Sequence, residues 1–159
     1  MFDAKVDLSG FNRAFDGFEK MLRRPTDFMQ RPAVDWMAQT EREQFDSEGA
    51  AGRSGRWAPL APSTQRAKAL DRSGVKILQR TGTMMNQLTR TESLRQYVEV
   101  TDDKIIFHLP PPAGFHQSGT RKMPQRKVVD PSDAQIGRLN DAVRREVLPL
   151  VRNLGFGAE

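Results

Sequence analysis

The sequence predicts an α+β domain in which N-terminal and C-terminal amphipathic helices pack on a small antiparallel sheet, with a long protruding loop or arm. Three observations predict it. Toward both ends, apolar residues recur every three or four positions, the period of a helix. Through residues 97–109 the interval shortens to two, the period of a strand. Residues 46–62 follow neither period, yet they carry a tryptophan and a leucine.

At 159 residues the chain is expected to form a single domain, 1–159, with 46–62 as an extended arm or loop within it. A hydrophobic share of 37% supplies one modest core. The net charge of +5 permits contact with nucleic acid or an acidic protein surface, but the charges are interspersed and require neither. The chain has no cysteine, which excludes a disulfide frame, a thiol nucleophile and a cysteine-ligated zinc. The opening Met1-Phe2-Asp3-Ala4-Lys5-Val6-Asp7 lacks an apolar stretch, so no secretory leader is expected. Apolar runs as short as Val147–Val151 predict no membrane span.

Phe11, Phe15, Phe18 and Leu22 form one stripe of a first helix, which Pro25 should end. Core packing is the favoured reading of that stripe, ahead of a partner groove. A second helix is expected to begin near Pro32, a residue suited to a first helical position. Val34, Met37, Ala38, Glu41 and Phe45 then share a face. From Asp46 to Pro62 the composition turns to Ser, Gly, Ala, Arg and Pro, too long for an ordinary connection. A large apolar ring there gains little unless something covers it, either the rest of the domain or a neighbouring chain. Ser63 or Thr64 should cap a short helix that stops at Ser73-Gly74. Another is expected over Val75 to Thr89, with a break or re-capped start at Thr81-Gly82.

Tyr97 to Thr101 and Lys104 to Leu109 alternate around Asp102-Asp103 and read as a hairpin. Pro110-Pro111-Pro112 ends it, and a third strand near Arg126 to Val129 would complete the sheet. Asp130-Pro131, or Ser132 with Gln135, opens the last helix. Its stripe is Ile136, Leu139, Val143, Val147, Leu150 and Leu154, with a bend at Pro149 and an end at Gly155.

Catalytic groupings are missing from this pattern, so no enzyme activity, cofactor or metal is expected. Of the two histidines, His108 reads as an exposed strand residue and His116 as an anchor for a loop. Asp102 and Asp103 on a tight turn point apart and cannot share a substrate. Gly49, Gly52 and Gly55 lack the strand and the lysine of a phosphate loop. Arg121, Lys122, Arg126 and Lys127 are candidates for contact with DNA or an acidic partner, and Arg53, Arg56, Arg66 and Lys68 form a looser basic zone. No recognition helix or stacking platform accompanies either.

One ordered string remains: Gly55-Arg56-Trp57-Ala58-Pro59-Leu60, Thr64 with Lys68, Leu78-Gln79-Arg80-Thr81-Gly82-Thr83-Met84, then His116-Gln117-Ser118-Gly119. Its order and spacing resemble the virion-morphogenesis or tail-completion family of tailed bacteriophages, across roughly Phe45 to Ile136. Met84 stands where leucine is usual, and Arg126-Lys127-Val128-Val129-Asp130 where the family reads Arg-Pro-Phe-Leu-Gly. The resemblance implies a structural neck protein of the virion, made in the bacterial host cytoplasm, that forms a homo-oligomeric ring and helps join the tail to the DNA-filled head. Its expected partners are further copies of itself, portal-side or tail-terminator and tail-tube proteins, and passing DNA bound non-specifically, with no membrane. On this reading Trp57, Leu60, His116, Gln117 and Gly119 shape an arm and its docking site, and Trp57→Ala should leave the monomer folded while weakening assembly. The alternative is a DNA-binding accessory protein acting through its basic segments.

Overall fold

The computed structural model describes residue 19, residues 26–71, residue 74, residues 76–101 and residues 104–153. Among them are six helices and one antiparallel pair of strands, the α+β class that the two periods predict. The expected first helix, with its phenylalanine stripe, lies outside the described residues, as do the Asp102-Asp103 turn, Leu154 and Gly155.

Helix α1 (Thr26–Asp46) is the central element. It packs against the last helix, α6 (Asp133–Val151), and against α3 (Thr83–Thr89), α4 (Thr91–Leu94) and strand β1 (Val98–Val100). Because neighbours surround it, among its side chains described from Phe28 on only the strip Arg31, Asp35, Gln39, Arg42 and Asp46 is exposed. The helix begins before Pro32 rather than at it, and Pro32 lies inside. A proline within the first two turns removes a single helical bond, and here the ring is itself buried.

The shared face expected from Val34 to Phe45 is buried at all five positions, Glu41 included. Both Glu41 carboxylate oxygens, Thr40 Oγ1 and Gln44 Oε1 are buried without a hydrogen-bond partner among the described residues. Burial pushes the Glu41 carboxyl well above the usual carboxylate range. Nearby on the helix, burial also raises Glu43, but hydrogen bonds from Gln135 and Arg138, with the Arg138 charge, outweigh it and hold that carboxyl low.

Strands β1 and β2 (Ile105–Phe107) pair in the register Val98↔Phe107, Glu99↔Ile106 and Val100↔Ile105. Val98 and Val100 face the core and Glu99 faces water, as alternation requires. His108 pairs at 3.0 Å with Glu99 on the exposed side. The proline run does end the hairpin, but it also opens a helix, α5 (Pro111–Ser118), with prolines in its first positions.

The expected third strand is corrected: residues 126–129 carry no strand, and their backbone bonds go elsewhere. The short helix expected from Val75 to Thr89 begins instead at Thr83, capped by Gly82 in the left-handed conformation (φ 74°). That agrees with the re-capped start at Thr81-Gly82. Helix α2 (Pro62–Leu70) lies where a short helix is expected, but it starts at Pro62 with Ala61 as its N-cap, so Ser63 and Thr64 fall inside it and do not cap it. Helix α6 opens on the Ser132 and Gln135 capping box, with Ser132 N–H donating to Gln135 Oε1 at 2.8 Å.

Candidate functional site

The loop between α1 and α2 is laid against the body of its own chain. Its path is set first by the end of α1. Gly49 N–H donates to the Gln44 carbonyl at 2.9 Å, and Trp57 N–H to the Glu48 carbonyl at 2.8 Å. Gly49 takes φ 91°, and a β-carbon there would stand 2.5 Å from Trp57 Cδ1. A glycine is therefore required for the indole to lie on the turn.

Trp57 is 5% exposed. Its ring meets Phe45 edge-on with centroids 5.5 Å apart, and its Nε1 donates to the Lys127 carbonyl at 2.7 Å. The expectation that a neighbouring chain covers Trp57 is thereby corrected, since the ring is covered within one chain. Loop composition concealed this, because the covering surface comes from α1 and from residues some seventy positions later.

The later segment is interlocked with the loop rather than paired in a sheet. Arg53 N–H donates to the Asp130 carbonyl at 3.0 Å, and Ser54 N–H to Asp130 Oδ2 at 2.5 Å. Arg126 returns the contact, its Nε reaching the Ala58 carbonyl at 2.8 Å and Nη2 the Pro59 carbonyl at 2.9 Å. Arg126 is 7% exposed, and burial pulls its pKa down from the usual arginine value. This corrects its place as a freely available phosphate contact. Lys127 stands 3.9 Å from Asp130 and is half-buried, while Arg121 and Lys122 are exposed as expected.

The His116-Gln117-Ser118-Gly119 motif is the C-terminal turn of α5 and its cap. Gln117 Oε1 accepts from the backbone N–H groups of Val128 and Val129, at 2.8 and 2.9 Å, and its Nε2 donates to the Val129 carbonyl at 2.8 Å. One side-chain amide thus meets backbone groups that a neighbouring strand would otherwise satisfy. Gly119 takes φ 72°, and a β-carbon there would lie 3.0 Å from Gln125 N. His116 offers its carbonyl to Arg126 N–H at 2.9 Å. Its ring nitrogen Nδ1 is buried without a partner among the described residues. Burial, and then the nearby Arg126 charge, lower the imidazole pKa, so the ring is neutral at neutral pH.

Leu60 is half-buried against the core and lines a cleft of about 540 Å³ beside this interlock. Thr64, Lys68, Leu78, His116 and Arg126 also line it, so residues from every part of the ordered string meet there. Sequence reasoning missed α5, although its paired prolines are a helix-start signal as well as a strand stop. It also missed Lys68 as a buried residue, and no local pattern marks that. Among the described residues no group of three metal-ligating side chains occurs, and no helix is long and apolar enough to cross a membrane. Compared with known proteins, the chain matches no protein family, no curated protein and no solved structure.

Proposed function

We propose that the protein is a structural component of a phage neck, a tail-completion protein that assembles as a ring and helps join the tail to the filled head. The observation that carries this reading is how the ordered string is used. The polar groups of Trp57, Gln117 and Arg126 end on backbone carbonyls and amides of the same chain. Such residues build a rigid block that presents outer surfaces, which is what a joining ring needs and a substrate site does not.

Ring closure requires one surface to meet an unlike one on the next subunit. Two apolar features suit that role and replace the arm. One is a groove of about 730 Å³ bordered by Phe28, Val100, Ile105, Leu139 and Val143. The other is the pair of outward side chains Leu70 and Phe115, 87% and 59% exposed. The test is light scattering on the purified chain followed by electron microscopy of the particles. The parent is expected to form rings, and Phe115→Asp to remain folded but monomeric. A parent that stays monomeric at high concentration, alone and with isolated phage heads, would sink the reading. The DNA-binding alternative retains Arg121 and Lys122 but loses Arg126 as a surface contact.

A further inference from the structure

The cleft beside the interlock carries one sign of charge. Lys68, Arg80, Lys122 and Arg126 line it beside the neutral His116, and its described lining residues include no aspartate or glutamate. Arg80 is paired with Asp71 at 2.6 Å. Lys68 differs, being only 3% exposed while its ammonium donates to the Lys76 carbonyl. An ammonium has three donors, and among the described residues no carboxylate lies within ion-pair distance of this one. Buried charges are ordinarily paired. The unpartnered His116 Nδ1 is a second buried polar group on a residue that lines the same cleft. The rest of the wall is apolar, with Pro59, Leu60, Pro62, Leu78, Met123 and Pro124.

We propose that this cleft is a docking site for an extended acidic segment of a partner protein. Its carboxylates meet Lys68 and Lys122, and the apolar residues between them rest on Leu60, Leu78 and Met123. Charge complementarity selects an anion, and the mixed wall selects this kind of anion. A DNA duplex is a broad rod whose outward face is phosphate and sugar, so it neither enters a cleft of about 540 Å³ nor covers the apolar half. Only a slender chain reaches a lysine as deeply set as Lys68. The inference stands without the head–tail reading, and its failure leaves that reading in place.

The experiment is fluorescence anisotropy on the full chain. The probes are a labelled synthetic peptide alternating glutamate and leucine, its glutamine-for-glutamate counterpart, and a short DNA duplex. Saturable binding of the acidic peptide is expected, with the glutamine peptide weaker by about tenfold or more. Lys68→Met should weaken the acidic peptide by about tenfold, the effect of losing one charge-assisted bond. Lys122→Glu, at an exposed position where folding is not at risk, should weaken it at least as much. Equal binding of both peptides, or an affinity that Lys122→Glu does not move, overturns the proposal. So does a duplex that binds and is lost in Lys122→Glu while the acidic peptide does not bind.

Discussion

Trp36 and Trp57 are buried to nearly the same degree, 7% and 5% exposed. Each donates its indole N–H to a backbone carbonyl far along the chain, Trp36 to Gln135 at 2.6 Å and Trp57 to Lys127 at 2.7 Å. Each also meets a phenylalanine ring, Phe107 at 5.7 Å and Phe45 at 5.5 Å. Their surroundings differ. Trp36 stands on a helix and packs near a hairpin and a capped helix, elements whose shape is set largely by their own backbone bonds. Trp57 stands in a stretch where helix and ladder bonds are absent and side chains must satisfy the backbone. In the first region an indole adds packing to elements that already have a shape. In the second, it is part of what gives the shape.

The sharpest way to break that comparison is to remove each ring. Trp36→Ala and Trp57→Ala should each cost about 3–5 kcal/mol, a large share of a stability of about 5–15 kcal/mol. Urea unfolding gives the totals, and amide hydrogen exchange separates the two cases. Trp57→Ala should raise exchange first in residues 47–60 and 126–130, whereas Trp36→Ala should act on the domain as a whole. If Trp57→Ala lost less than about 1 kcal/mol and altered only assembly, the tryptophan would be an interface residue as its loop composition suggests.

A smaller effect tests the same contrast among glutamines. Gln30 makes one described backbone bond, to the Val98 carbonyl at 2.9 Å, whereas Gln117 serves two amides and a carbonyl. Gln117→Ala should cost about 2–3 kcal/mol, and Gln30→Ala about 1 kcal/mol. The exchange rates of the Val128 and Val129 amides are the local readout.

One further expected effect is a gain, and it lies in the regular half. Glu41 has its folded pKa raised above the unfolded value near 4.5. Its contribution is therefore fully present below that pH and declines as pH rises toward the folded pKa. Glu41→Leu should remove this slope and stabilise the protein by about 2 kcal/mol near pH 8, with a smaller gain near pH 5. Equal urea midpoints for parent and variant at both pH values would show that the buried carboxyl has partners.

Much of the regular half was legible. The hairpin follows from alternation around a short turn, and the start of α6 from Ser132 and Gln135, because both signals act within a few residues. Gly119 was legible as a residue that mattered. Its reason, a left-handed cap pressed on Gln125, was not. Arg126 read as a surface charge because charge runs usually are, and its two carbonyl partners lie near residue 58, far from it in sequence. Glu41 carried no warning, since one charged position on an otherwise apolar face normally marks the rim.

Periodicity and caps by themselves determined that this chain has helices flanking a small hairpin, and that the stretch between Asp46 and Pro62 belongs to neither. They act through neighbours three or four residues apart on a helix and two on a strand, so the sequence holds both sides of each interaction. The tertiary structure alone decided what covers Trp57, why residues 128 and 129 pair with a glutamine instead of a strand, and that Lys68, His116 and Arg126 share a cleft. Each of those depends on which distant backbone groups were left unsatisfied once the regular elements had packed, a quantity that exists only in the folded chain.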